Sequence, residues 1–459
     1  MRKSALITAI VTFLPFTVPA QRYLGIAAGN YMPAQSMYIN PALLANDERR
    51  LVIDIGSVNF GVDNDVARLN SGKVIKRYFN GDSVAIQDVF SFGGKNKFNM
   101  VAPYGEVRGP GVMLRVAPNH TLALSTRVRA VNQFHNFSQQ FYRSVTDADY
   151  REEGGDYMIH SDAFNWSAQL WSEIGLSYAT TLLHTDGHKI KAGITLRYLG
   201  GIGYLNMKAN NVDLHYYTAG DSLRVSNTDV QFSSNLITGD DQLTNGISAS
   251  DIFGGFFGKK GGHGLGADIG FVYEYSAPGE KADGYTFRAS LAITDIGSIK
   301  YKNDNRTAYL RGDGYLLANE IGDHVKNFED FRAYAASHGL TVDTSSAATK
   351  MHLPTALTLG ADYHVIDNFY VNALVIGNLA GRNTPGNAYY GQLSVTPRYE
   401  KKLWGVGLPI SYDALSRKMK LGVGGRVSGF FIGSDDVLAF LGNNQYGINF
   451  YFGGCVPLK

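Results

Sequence analysis

From residue 51 onward, apolar and polar residues alternate with period two over segments of about ten residues that recur to the end of the chain. In 189–198, Ile190, Ala192, Ile194, Leu196 and Tyr198 share one face, while Lys189, Lys191, Thr195 and Arg197 share the other. Segment 170–178 repeats the pattern with Leu170, Ile174, Leu176 and Tyr178 opposite Trp171, Glu173 and Ser177, and the turn His184-Thr-Asp-Gly187 joins the two. Successive side chains of a strand point to opposite faces, so this is a β-hairpin. Val112, Leu114 and Val116 form another with Leu122, Leu124 and Val128 across Ala117-Pro-Asn-His120. Segments 267–275 and 287–293 make a third, and 357–365 and 369–375 a fourth across Ile366-Asp-Asn368. Segments 393–399, 406–412 and 419–427 follow, then Tyr446, Ile448, Phe450 and Phe452.

Strands this long exceed the five or six residues usual in soluble sheets, which speaks against a β-sandwich, and match what a tilted strand needs to cross a bilayer. Tyr178, Tyr198, Tyr273, Tyr285, Tyr363 and Tyr412 stand near strand ends on the apolar face, where headgroup girdles form. The fold class is therefore all-β: an antiparallel transmembrane β-barrel of about fourteen strands over 48–453, with a tail at 454–459. Residues beyond the last aromatic strand place the assembly signal internally, at Phe450 or Phe452. Short links at 117–120, 184–187 and 366–368 fall on the periplasmic side, leaving 63–106, 132–163, 208–263 and 300–352 as extracellular loops or lumen segments. Within 300–352 the spacing of Ile321, Val325, Phe328, Phe331, Tyr334 and Ala335 predicts an amphipathic helix over 316–338, a cap on the barrel mouth, a gate or a docking element.

Composition agrees: 53 Gly, 28 Tyr and 25 Phe suit many turns and half-exposed strands, and no apolar run after residue 20 reaches the length of a membrane helix. The first twenty residues carry Arg2 and Lys3, an apolar run from Ala5 to Leu14 and Val18-Pro-Ala20, a signal peptide cleaved near Ala20 so that the mature chain starts at Gln21. Its loss turns 42 basic and 40 acidic residues into 40 of each. A neutral chain has no electrostatic footprint for nucleic acid. Cys455 is the sole cysteine, so there is no disulfide framework. Export and barrel together place the protein in the cell outer membrane of a Gram-negative bacterium, in contact with its lipid.

Ahead of the first strand stand Gly25-Ile-Ala-Ala-Gly-Asn30 and Tyr38-Ile-Asn-Pro-Ala-Leu43. This Asn-Pro-Ala placement resembles the long-chain fatty-acid transporter barrels (FadL-like) and their PorV-like relatives in gliding and type IX secretion. The resemblance implies that 21–47 enters the lumen as a hatch, with Asn40, Pro41 and Ala42 at its centre. Gly266-Ala-Asp-Ile-Gly-Phe271, Thr294-Asp-Ile-Gly297, Gly424-Gly-Arg426, Gly433-Ser-Asp-Asp436 and 446–453 together resemble an uncharacterised family of Bacteroidetes-type outer-membrane barrels over nearly the whole mature chain. That family has no assigned substrate.

The alternation turns Arg115, Arg127, Arg129, Glu173, Lys191, Arg197, Asp268, Glu274, Arg288, Asp362, Arg398, Lys420 and Arg426 toward the lumen, either paired across strands or lining a path for anionic or amphipathic solutes. Met32, Met37, Tyr38, Trp171, Phe134 and Phe137 are candidates for an apolar pocket against the hatch. His184 and His188 sit in a turn without a third ligand, so no metal or cofactor is expected. Gly255-Phe-Phe-Gly-Lys-Lys-Gly-Gly262 lacks the spacing of a phosphate-binding loop, and Arg311-Gly-Asp313 reads as a turn. Three functions follow in order: uptake of a hydrophobic or amphipathic small molecule, a barrel docking protein partners in secretion or surface assembly, and an outer-membrane hydrolase. No residue pattern singles out catalysis.

Overall fold

The computed structural model describes residues 23–458 apart from 47–48, 71, 73–75, 78–79, 81–89, 94–95, 141–154, 162, 219–221, 236–260, 280–283, 303–306, 318–319, 321–327 and 442. The signal segment 1–20 and the glycine-rich stretch 255–260 lie outside the described residues.

Strands β1 (Leu51–Asn64), β2 (Lys97–Arg108, continuing as Gly111–Ala117) and β3 (His120–Ser138) open the sheet. They are followed by β4 (Tyr157–Ser161 and Phe164–Thr185), β5 (His188–Tyr217) and β6 (Ser222–Ser234 and Gly262–Tyr275). Next come β7 (Phe287–Tyr301 and Thr307–Leu317), β8 (Thr341–Ser345, Thr349–His352 and Ala356–Ile366), β9 (Phe369–Asn378) and β10 (Gln392–Glu400). The wall ends with β11 (Trp404–Gly407 and Ile410–Asp413), β12 (Lys418–Leu421 and Val423–Val427), β13 (Phe430–Ser434) and β14 (Gly447–Leu458). Each strand pairs antiparallel with its neighbour, and β14 closes on β1 from Leu51↔Leu458 to Asp63↔Gly447, giving the expected fourteen-stranded barrel.

Its outer surface is the apolar face read from the alternation: Leu124, Leu176, Leu196 and Ile432 are 49–57% exposed, while their strand neighbours Ser125, Ser177, Arg197 and Phe431 are buried. A continuous belt of exposed Ile, Leu, Val and aromatic side chains is stable only against lipid. Tyr178, Tyr198, Tyr273, Tyr363 and Tyr412 face outward with it, whereas Tyr285 turns inward, held by Asp362 and Arg398.

Several boundaries differ from expectation. The wall does not stop at 453: Gly454 to Leu458 continue β14, because Val456, Pro457 and Leu458 pair with Ile53, Val52 and Leu51. The stretches expected as loops contain strand: β5 alone has 30 residues against the ten or so that span a bilayer, so β3 to β8 rise well beyond the membrane on one side, while β9 has 10. Period two persists there, but the outward apolar row Phe134, Trp166, Met207 and Phe232 is covered rather than lipid-exposed. The helix α3 (Phe328–Ser337) is shorter than 316–338, since Leu316 and Leu317 end β7, paired with Leu223 and Ser222. Ile321 and Val325 lie outside the described residues.

Candidate functional site

Residues 23–46 fold inside the barrel as two single-turn helices, α1 (Leu24–Ala27) and α2 (Pro33–Ser36), and a 3-10 helix at Pro41–Asn46. This is the segment expected as a hatch. Its first turn packs on β10 to β13 and its last on β4, β5 and β6, so it crosses the lumen from the short wall to the tall one. The wall is bared of side chains where the backbone arrives. A methyl group on Gly193 would collide with Pro41 and Ala42, one on Gly270 with Asn40, and one on Gly407 or Gly424 with Gly25. Asn40 donates from Nδ2 to the carbonyls of Phe271 and Leu291 (both 3.1 Å), and its Oδ1 accepts from the Ala42 amide at 2.9 Å. At the other end, Asp435 accepts from the Tyr23 and Leu24 amides, and Glu400 from Asn30.

Above the hatch, the strands β2 to β7 carry a belt of buried charge. Asp295 accepts from Arg129 (2.9 Å), Arg127 (3.0 Å) and Arg197 (3.1 Å), Glu173 bridges the same three, and Asp268 pairs with Arg197 and Glu106 with Arg108. Four arginines thus face four carboxylates. Lower down, Glu274 joins Lys191 and Arg288 at 2.7 Å each. Arg398 meets Asp362, and Lys420 meets Asp63 and Asp413.

Two residues expected in the lumen do not join this set. Arg115 sits at the rim beside the 117–120 turn and donates to the Pro118 carbonyl, because its strand ends there. Arg426 faces inward but donates to the carbonyls of Lys401, Lys402 and Ser428 beneath the Tyr31 ring rather than to a carboxylate. His188 in the predicted turn bonds Tyr273.

The belt contains three residues that alternation missed: Glu106, Arg108 and Asp295. Asp295 is out of phase because Thr294 and Asp295 together oppose the one residue Asp268, a bulge that turns Asp295 inward at φ 56°. Aspartate is among the few residues that take this left-handed conformation readily.

The pocket candidates divide. Met32, Met37 and Tyr38 are buried in the hatch, with Tyr38 stacked on Arg108 and Arg127 (4.1 and 5.1 Å to the ring centre). Trp171 lies in the lumen above the belt, in an apolar layer with Tyr104, Tyr204 and Tyr301. Phe134 and Phe137 belong to the covered cluster on the opposite face of the tall wall and cannot meet the hatch.

A second segment, 381–391 between β9 and β10, folds inward to the tall wall. Ala388 exchanges hydrogen bonds with Gln133, and Asn387 donates to Gln169. Tyr389 donates to Asp295 at 2.9 Å and accepts from Arg129; burial holds its phenol above the ordinary range, so the donor proton stays.

An apolar belt around a closed wall with charged groups inside identifies an outer-membrane β-barrel. Among solved structures the chain is similar to a Pseudomonas aeruginosa FadL homologue at 11% identity and TM-score 0.43, covering 97% of this chain and 99% of that one. It is also similar to the Pseudomonas putida toluene transporter TodX (8% identity, TM-score 0.30, 96% and 98% covered) and to the Escherichia coli outer membrane protease OmpT (8%, 0.25, 88% and 95%). No curated protein matches the sequence. The model of a family of unknown function, DUF5723, matches residues 41–435, and the chain belongs to that family.

Proposed function

We propose that this barrel takes up hydrophobic or amphipathic small molecules through a lumen gated by its N-terminal hatch. The observation that carries the reading is where the lumen is closed. The belt's ion pairs run around the arc β2 to β7, and the remaining pairs join strands close together in the wall. Among the described residues, what reaches from one arc to the other includes the hatch, through Asn30, Gln35 and Tyr38, the inward segment, through Tyr389, and Leu415, which packs in the layer of Trp171 and Tyr104. The hatch is held by hydrogen bonds and packing on bare wall and the inward segment by hydrogen bonds to Gln133 and Gln169, contacts that break at modest cost compared with dismantling the belt. Asn40, Pro41 and Ala42 act as the latch, and the apolar layer around Trp171 receives the solute above it.

Uptake of a radiolabelled hydrophobic probe by cells with and without this chain tests the reading, with a variant lacking 25–45 beside them. Uptake should need the chain and lose its saturable component in the deletion. Equal uptake in all three refutes it. The extension of β3 to β8 beyond the membrane favours a second reading, docking of a protein partner there, which capture of one stable partner through α3 would support.

A further inference from the structure

The two halves of the lumen wall differ in chemistry. The arc β2 to β7 carries the charge belt, whereas the middle of β8 to β11 turns uncharged side chains inward: Thr358, Leu374, Ile376, Ser394, Thr396 and Ser411. The charges bordering this arc are matched, Arg398 by Asp362 at 2.7 Å on one side and Lys420 by Asp413 at 3.0 Å on the other. Hatch residues Met32 and Met37 share an apolar cluster with Leu374 and Ile376. Amid this surface, Thr358 Oγ1 and Ser411 Oγ, on residues 1% and 0% exposed, have no hydrogen-bond partner among the described residues. Buried hydroxyls are normally satisfied, so two unmet ones on an apolar patch mark a place where a polar atom of something else belongs.

We infer that the solute received at the Trp171 layer goes on to bind the β8 to β11 arc, and that it is an uncharged amphiphile bearing an alcohol or ester group rather than a carboxylate. This rests on the uptake reading and names its substrate class. An alkyl chain lies on Leu374, Ile376 and the hatch methionines, and its oxygen meets Ser411 or Thr358. A carboxylate there finds no cation without a carboxylate partner among the described residues, since Arg398, although its Nε lacks a hydrogen bond, is already matched by Asp362 and Glu400, and an unpaired buried charge is heavily penalised.

Native mass spectrometry of the whole barrel in detergent, titrated separately with 1-decanol and with decanoate at pH 8, tests the assignment. Decanol should bind at least about tenfold tighter, because burying a carboxylate without a free cation costs more than that factor. Ser411→Ala combined with Thr358→Val should weaken decanol binding about tenfold; Ser411→Ala alone, with folding checked by heat-modifiable gel migration, should weaken it severalfold if the double variant fails to fold. Decanoate binding as tightly as decanol, or decanol binding unchanged in the variants, overturns the inference and leaves the uptake reading standing. Binding of neither probe also overturns it; if cells lacking the chain then take up the hydrophobic probe equally well, the uptake reading fails as well.

Discussion

Asp295→Asn isolates the charge at the centre of the belt. Asparagine tolerates the same left-handed backbone, so the bulge in β7 survives, and the amide oxygen still accepts a hydrogen bond. What disappears is the negative charge shared by Arg127, Arg129 and Arg197, all within 3.1 Å and all at most 4% exposed. Four arginines then face three carboxylates away from bulk solvent. Removing one partner of a buried ion pair costs about 3–5 kcal/mol, and this group is dry enough for that range to apply undiscounted. The assay is guanidinium unfolding in lipid vesicles, followed by heat-modifiable migration. The variant should lose about 3–5 kcal/mol, and adding Arg129→Gln should restore part of the loss by removing the excess cation. A loss below about 1 kcal/mol, or a double variant weakened by the full sum, would refute the belt as a tightly matched charge set.

Other expectations follow from single contacts. Leu196→Arg on the lipid face should cost about 2–4 kcal/mol in the same unfolding assay if Leu196 lies near the bilayer midplane. Asn40→Ala removes two bonds to wall carbonyls and should speed protease cleavage of 23–46 in the folded barrel, with the wall's own unfolding midpoint little changed. Gly270→Leu should displace the hatch more strongly than Asn40→Ala, because its side chain occupies the place of Asn40 itself. Tyr389→Phe removes the bond to Asp295 and should raise thiol labelling of an Ala388→Cys reporter, at a buried position of the same segment, in a Cys455→Ser background.

The wall was legible because lipid on one side and charge on the other impose period two on every strand, as in Ile190 to Tyr198. What escaped the pattern has local causes. Asp295 sits on a bulge that alternation cannot register, and the register slip between Ala267 and Ile269 has no compositional mark. Phe134 and Phe137 lie in the right strand for a lumen pocket, but a left-handed Asn136 and the covered outer face of the tall wall put them elsewhere. The inward segment 381–391 has neither periodicity nor a charge cluster; its contacts are mostly between polar side chains and backbone, which any polar loop supports. Alternation ends the wall too early for a simple reason: at Gly453 and Gly454 the apolar pattern lapses, yet backbone pairing with β1 needs no side chains.

The central claim is that 23–46 is seated inside the wall and leaves its seat when solute passes. Ala42 is fully buried beside Gly193, and cysteine there adds one sulfur atom to its methyl group. In a Cys455→Ser background, labelling of Ala42→Cys by a membrane-impermeant maleimide in proteoliposomes should be slow without solute and rise at least about tenfold when a saturating hydrophobic solute is added, a shift of about 1.4 kcal/mol in hatch opening. Fast labelling without solute, or slow labelling unchanged while uptake proceeds, would contradict the account.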